Sequence, residues 1–120
     1  MANPVVHFEV VGSDAETLRR FYSEAFSWQM QDVMDGSYYM VNTGVENGVA
    51  GGVGAAPGGN GHVTFYVEVD DPAAALEQIS SLGGRTVQEP MDVPNGPTIA
   101  LFADPEGHVI GLVKSMPAES

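Results

Sequence analysis

Residues 62–71 read His-Val-Thr-Phe-Tyr-Val-Glu-Val-Asp-Asp, and their two-residue alternation limits what this chain can become. Val63, Phe65, Val67 and Val69 take every second position, with His62, Thr64, Tyr66 and Glu68 between them. Successive side chains of a strand point to opposite faces, so this is a strand with one apolar and one polar face. Asp71-Pro72 then opens a helix over Ala73 to Leu82, closed by Gly83-Gly84 as a left-handed cap. The same plan stands near the N-terminus. His7-Phe8-Glu9-Val10-Val11 passes through Gly12 and Ser13 into a second helix from about Ala15 to Phe26. Ser13 with Glu16 fits a capping box, and Asp14 serves equally well as the cap.

An offset of 57 residues lays His7 on Thr64, Glu9 on Tyr66 and Asp14 on Asp71, and the order of elements after each helix agrees. In the first half, Trp28 to Met34 alternates as a strand, Asp35-Gly36-Ser37 is a hairpin turn, and Tyr38 to Asn42 returns. Residues 44 to 61 hold more than half of the 15 glycines. Within them Gly48 to Gly54 reads as a strand approached closely by another backbone or a ligand, with a flexible linker as the competing reading. Pro57-Gly-Gly-Asn-Gly61 is the joint between halves. In the second half, Arg85 to Glu89 is a short strand, Met91 to Pro97 a loop and Thr98 to Ala103 a strand. Asp104-Pro-Glu-Gly107 is a tight turn before the last strand, His108 to Lys114, and the tail after Ser115 is expected to fray. A chain of 120 residues is one domain. Its modules, about 1–56 and 62–115, are each too small to stand alone, so their cores must merge or pair across a dimer.

Composition narrows the partners. Sixteen Asp and Glu against four Lys and Arg give a formal net charge of −12, which repels a phosphate backbone and argues against nucleic acid. The absence of cysteine removes disulfides, thiolate metal sites and cysteine nucleophiles together. No apolar run reaches the roughly 18 residues of a membrane span and no signal-peptide pattern opens the chain, so a cytoplasmic protein is expected.

Three segments resemble the vicinal oxygen chelate superfamily of glyoxalases, bleomycin-resistance proteins and extradiol dioxygenases. They are His7-Phe-Glu-Val with Asp14, Phe21-Tyr22 and Phe26-Ser27-Trp28; Val69-Asp70-Asp71 through Leu82-Gly83-Gly84; and Asp104-Pro105-Glu106-Gly107 before a final strand. The resemblance implies an α+β fold, two βαβββ modules whose sheets curl around a shared cavity, and a homodimer. Ser27 stands where the family usually has glycine; in a left-handed conformation it would cost on the order of 1 kcal/mol.

Metal-dependent members hold a divalent ion through His or Glu on the first and last strands of each module, as a Lewis acid toward vicinal oxygens. Carried over by position, His7 matches the first ligand, Thr64 falls on the second-module equivalent and Gly111 on the last-strand carboxylate. The remaining position lies in the glycine-rich strand, where Glu46 comes several residues too early. One of four positions survives, and zinc-like ions want three or more protein ligands. No metal or other cofactor is therefore expected, with a rebuilt site of His7 with Glu9 or Glu68 as the alternative.

His7, Glu9, Thr64, Tyr66 and Glu68 are the expected ligand-contacting residues, set on the polar faces of the two pseudo-equivalent strands. Trp28, Tyr39 and Phe102 complete a pocket wall or, taken singly, belong to the core. His62 shares the polar face two residues from Thr64, near the mouth, and His108 is expected to face solvent. Asp70 and Asp71 are accounted for by helix capping. Three functions stay open: a metal-free small-molecule-binding protein, a divalent-metal lyase, isomerase or dioxygenase using His7, and a metal-free lyase or isomerase with His7 or Glu9 as general base.

Overall fold

A computed structural model describes residues 2–56, 60–94 and 96–115. The described residues form eight strands and two helices, an α+β architecture in which strand, helix and three strands occur twice. The first run is β1 (Val5–Gly12), α1 (Ala15–Phe26), β2 (Gln29–Asp32), β3 (Tyr38–Asn42) and β4 (Gly51–Ala55). The second is β5 (His62–Val69), α2 (Pro72–Ser81), β6 (Arg85–Asp92), β7 (Thr98–Ala103) and β8 (Val109–Lys114). Residues 57–59 of the expected joint and 116–120 of the expected tail lie outside the described residues.

Two compact units emerge, Val6–Phe65 and Met1–Val5 with Tyr66–Ser120. In the first, the strand order is β2-β3-β4-β1. β1 runs parallel to β4, with Phe8 beside Gly51, Glu9 beside Gly52 and Val10 beside Val53. β3 runs antiparallel to β4, with Tyr38 beside Gly54, Tyr39 beside Val53 and Met40 beside Gly52. These registers sort the side chains by face. Phe8, Val10, Tyr39, Val41 and Val53 share the face that α1 covers; Glu9, Tyr38, Met40, Gly52 and Gly54 share the other. Ala15, Tyr39, Val41 and Val53 are buried. Above them Phe8, Tyr22, Phe26 and Trp28 form an aromatic cluster with ring centroids 5.2–6.3 Å apart.

Asp14 is the cap of α1: its carboxylate accepts from the Thr17 N–H at 3.1 Å and from the Thr17 hydroxyl at 2.8 Å. Ser27 closes the helix in the left-handed region, at φ 61°. Asp35 and Gly36 both take positive φ, 50° and 84°, as the two-residue turn between β2 and β3 demands. β2 is shorter than the alternation from Trp28 to Met34 predicts, because Trp28 is drawn into the aromatic cluster and the Asp32 carboxylate turns back onto the Met34 and Gly36 N–H groups. The glycine-rich stretch does form a strand, although it begins only at Gly51.

The second unit orders its strands β5-β8-β7-β6. Asp71 caps α2 through the Ala73 and Ala74 N–H groups, and Pro72 supplies the first turn. Val69, Leu76, Ala100 and Leu112 form its core, where each large aliphatic chain contributes roughly 1.5–3 kcal/mol. Gly83, at φ 103°, ends the helix, and the Gly84 N–H closes onto the Ile79 carbonyl at 2.9 Å. The alternation of β5 is half realised. Val67 and Val69 pack in this core, whereas Val63 is 75% and Phe65 40% exposed, since α2 rests on β6, β7 and β8. β6 continues past the expected end at Glu89, through Pro90 to Asp92, with register shifts against β7.

Candidate functional site

The polar face of β1 begins with a backbone vacancy. Gly52 and Gly54 alternate on β4, so neither raises a side chain on this face. Tyr38 uses the gap. A Cβ placed on Gly52 would lie 1.7 Å from the Tyr38 hydroxyl, and one on Gly54 would lie 2.5 Å from its ring. The ring therefore lies across β4 and delivers its hydroxyl to β1.

There it meets two side chains on one strand face. The Tyr38 hydroxyl donates to Glu9 Oε2 at 3.0 Å and stands 3.1 Å from His7 Nε2. The other oxygen of Glu9, Oε1, lies 3.0 Å from His62 Nε2. The Glu9 side chain is 14% exposed and that of His62 50%. Burial lowers the pKa of His7 from the usual imidazole range, against an opposing pull from Glu9, so the ring is neutral at pH 7. One carboxylate thus gathers a phenol and an imidazole, and the phenol extends the network to a second imidazole. A neutral imidazole beside a polarised hydroxyl can hold or accept a proton.

Among the residues expected from sequence, His7 and Glu9 come together here. Thr64 is buried on β5, with its hydroxyl 3.4 Å from the Phe65 carbonyl. Tyr66 pairs with Gly111, and a Cβ on that glycine would lie 2.3 Å from the Tyr66 ring. Glu68 is half-buried, and its N–H donates to the Pro4 carbonyl at 2.9 Å. Trp28, Tyr39 and Phe102 serve as core: Trp28 stacks on Tyr22, Phe102 packs against the α2 core, and the Tyr39 hydroxyl donates to Glu16. That carboxylate is held down at about 2, first by its hydrogen bond from Arg19. His108 faces solvent as expected, paired with Asp104 at 3.0 Å.

Tyr38 and the full part played by His62 were missing from the sequence reading. A signal for Tyr38 existed: glycines at 52 and 54 bare one strand face, and a bare buried face has to be covered by something large. The place of His62 depends on how β5 aligns with β1, which no local pattern records.

Residues 5–112 of the sequence match the model of the Glyoxalase/Bleomycin resistance protein/Dioxygenase superfamily. The chain belongs to that superfamily. The Mycobacterium bovis protein named "Putative glyoxylase CFP32" is 32% identical over 63 residues, 52% of this chain and 24% of its own length. The match thus spans about a quarter of that relative. Methylmalonyl-CoA epimerase from Mycobacterium tuberculosis superposes with a TM-score of 0.70 at 15% identity, over 94% of this chain and 88% of the epimerase. The Mn(II)-bound glyoxalase from Novosphingobium aromaticivorans gives 0.65 at 15% identity, over 98% of this chain and 44% of that one. At these identities the likeness is one of fold.

Members of this superfamily often bind a divalent metal, so the donor set calls for comparison. The final-strand carboxylate position is Gly111, and the register puts Gly52 in the matching place on β4, beside Glu9 as Gly111 is beside Tyr66. Tyrosine rings take the space over both glycines. Among the described residues no group of three or more His, Cys, Asp or Glu is gathered to hold an ion. The residues at the family's positions do not fit a four-ligand metal site. No helix among the described residues is long and apolar enough to cross a membrane.

Proposed function

We propose that this protein binds a small molecule on the β1 face centred on His7, Glu9, Tyr38 and His62, without the family's four-ligand metal site. One observation carries the reading: Gly52 and Gly111 stand at the last-strand ligand positions, and the Tyr38 and Tyr66 rings fill the space above them. Thr64, on the same face of β5 as His62, is a further contact proposed for that face, and Tyr66 and Glu68 are proposed as ligand contacts belonging to the second unit. The formal charge of −12 favours a cationic or neutral ligand over an anion. Elemental analysis of the purified protein, with calorimetry against Ni²⁺, Zn²⁺ and hydrophobic amines, tests this. Amine binding lost in Glu9→Gln, with no stoichiometric metal, is the expected result. A tightly held divalent ion would replace it with the metal-dependent alternative built on His7. A homodimer is proposed as the working form, checked by sedimentation equilibrium.

A second reading has its own support. Burial keeps His7 neutral, as a general base must be, which favours a metal-free lyase or isomerase. Activity unchanged in both His7→Ala and Glu9→Gln, once a substrate is in hand, would dispose of it.

A further inference from the structure

A shallow cavity of about 230 Å³ opens on β2 and β3, lined by Gln29, Met30, Gln31, Met40, Val41 and Asn42. Strand register sorts these six. Gln31 stands opposite Met40 and Gln29 opposite Asn42, so those four share the face that also carries Tyr38. All four are exposed, Met40 to 40%. Val41 is buried on the α1 side, with Met30 as its partner. None of the six carries a charge, in a chain with 16 Asp and Glu. Three carboxamides thus flank one thioether.

We propose that this groove is a binding site for a neutral, planar group that bears a carboxamide and is no larger than one substituted aromatic ring. A carboxamide both donates and accepts hydrogen bonds, so it satisfies both ends of a glutamine at once. An ammonium only donates and a carboxylate only accepts. Asn42 adds a direction: its Oδ1 accepts from the Gly44 N–H at 2.8 Å, which turns its amino group to the task of donating. A carboxylate is opposed further by the net charge of −12, and the lining holds no carboxylate to pair with an ammonium. Met40 supplies the apolar contact, an unbranched and polarizable thioether suited to a ring edge. Size sets the limit, since the cavity is smaller than the roughly 300–1,000 Å³ of sites for drug-sized ligands. Met40 lies two strands from Glu9, across Gly52, a separation of roughly 10 Å. The groove therefore stands or falls apart from the amine reading above.

Titration of the full chain with benzamide, followed by nuclear magnetic resonance at the Met40 methyl and the Gln31 side-chain amide, tests this. Both signals should move with benzamide and stay in place with benzoate, a ring of the same size that carries a charge. Glu9→Gln should leave the benzamide response as it is. Gln31→Glu, at an exposed position of the outermost strand β2, should weaken benzamide by about two- to tenfold, the loss of one hydrogen bond. Met40→Ala should weaken it as well, read at Gln31. An equal response to benzoate overturns the neutral class. A benzamide response lost in Glu9→Gln belongs to the β1 cluster, and one unchanged in both Gln31→Glu and Met40→Ala lies elsewhere on the chain. Either result overturns the groove, as does silence toward benzamide. The amine titration is read through Glu9, so its failure leaves this result standing.

Discussion

Gly52 and Gly111 are the same gap in two copies of one plan, filled from opposite directions. Gly111 is covered by Tyr66, its direct partner across β5 and β8. Gly52 has Glu9 as its direct partner on β1, and the covering ring comes from β3 on its other side. Because Tyr38 does the covering, the carboxylate at the β1 position is left standing and gains a phenol as a neighbour. Duplication supplied two equal vacancies, and the choice of which strand fills them made one face a polar cluster and the other an aromatic lid.

Adding a methyl group to each glycine breaks the comparison most sharply. Gly52→Ala puts a Cβ 1.7 Å from the Tyr38 hydroxyl and 2.2 Å from Cζ, so the ring must leave. Overpacking of this kind costs about 1–3 kcal/mol, and urea unfolding should show it together with loss of the Tyr38 contacts to Glu9 and His7. Gly111→Ala, 2.3 Å from the Tyr66 ring, should cost a similar amount in the same measurement; a cost near zero for either variant would mean that its tyrosine does not need the space its glycine leaves.

Tyr38→Phe is gentler. It keeps the covering ring and deletes the bonds to Glu9 and His7, for about 0.5–1.5 kcal/mol in chemical denaturation. The helix ends offer a smaller test of the same duplication. Ser27, at φ 61°, and Gly83, at φ 103°, both take the left-handed conformation after their helices, and only the second is glycine. Ser27→Gly should therefore stabilise the chain, by up to about 1 kcal/mol in urea, and leave the β1 cluster as it was.

The smallest expected effect is on pH dependence. Burial lowers the His7 pKa in the folded chain, so below about pH 6.5 the unfolded chain binds the proton first. Stability is therefore complete above the unfolded imidazole pKa and falls as pH drops from there toward the folded value. His7→Gln should flatten that part of a urea-midpoint series between about pH 8 and 5; an unchanged slope would mean that another group carries it.

Much of this was legible before any coordinates. The alternation in β1 and β5, the Asp caps at 14 and 71, the Gly83 stop and the Asp104–Gly107 turn are local features, and local sterics decide them. The same holds for the pairing of His7 with Glu9, since residues two apart on a strand share a face. Val63 and Phe65 fit the apolar pattern as well as Val67 and Val69 do, yet remain exposed, because the reach of α2 is a matter of packing.

From the chain's own letters came the duplicated βαβββ order, the caps and turns, and the loss of the carboxylate at position 111, while the register of β4 identified Gly52 as its counterpart. Those follow from φ/ψ preference and side-chain period, which each residue carries wherever it stands. Only the tertiary structure settled that Tyr38 crosses two glycines to reach Glu9, and that His62 meets the same carboxylate. Contacts between residues 29 and 53 positions apart depend on strand register, and register is a property of the assembled sheet.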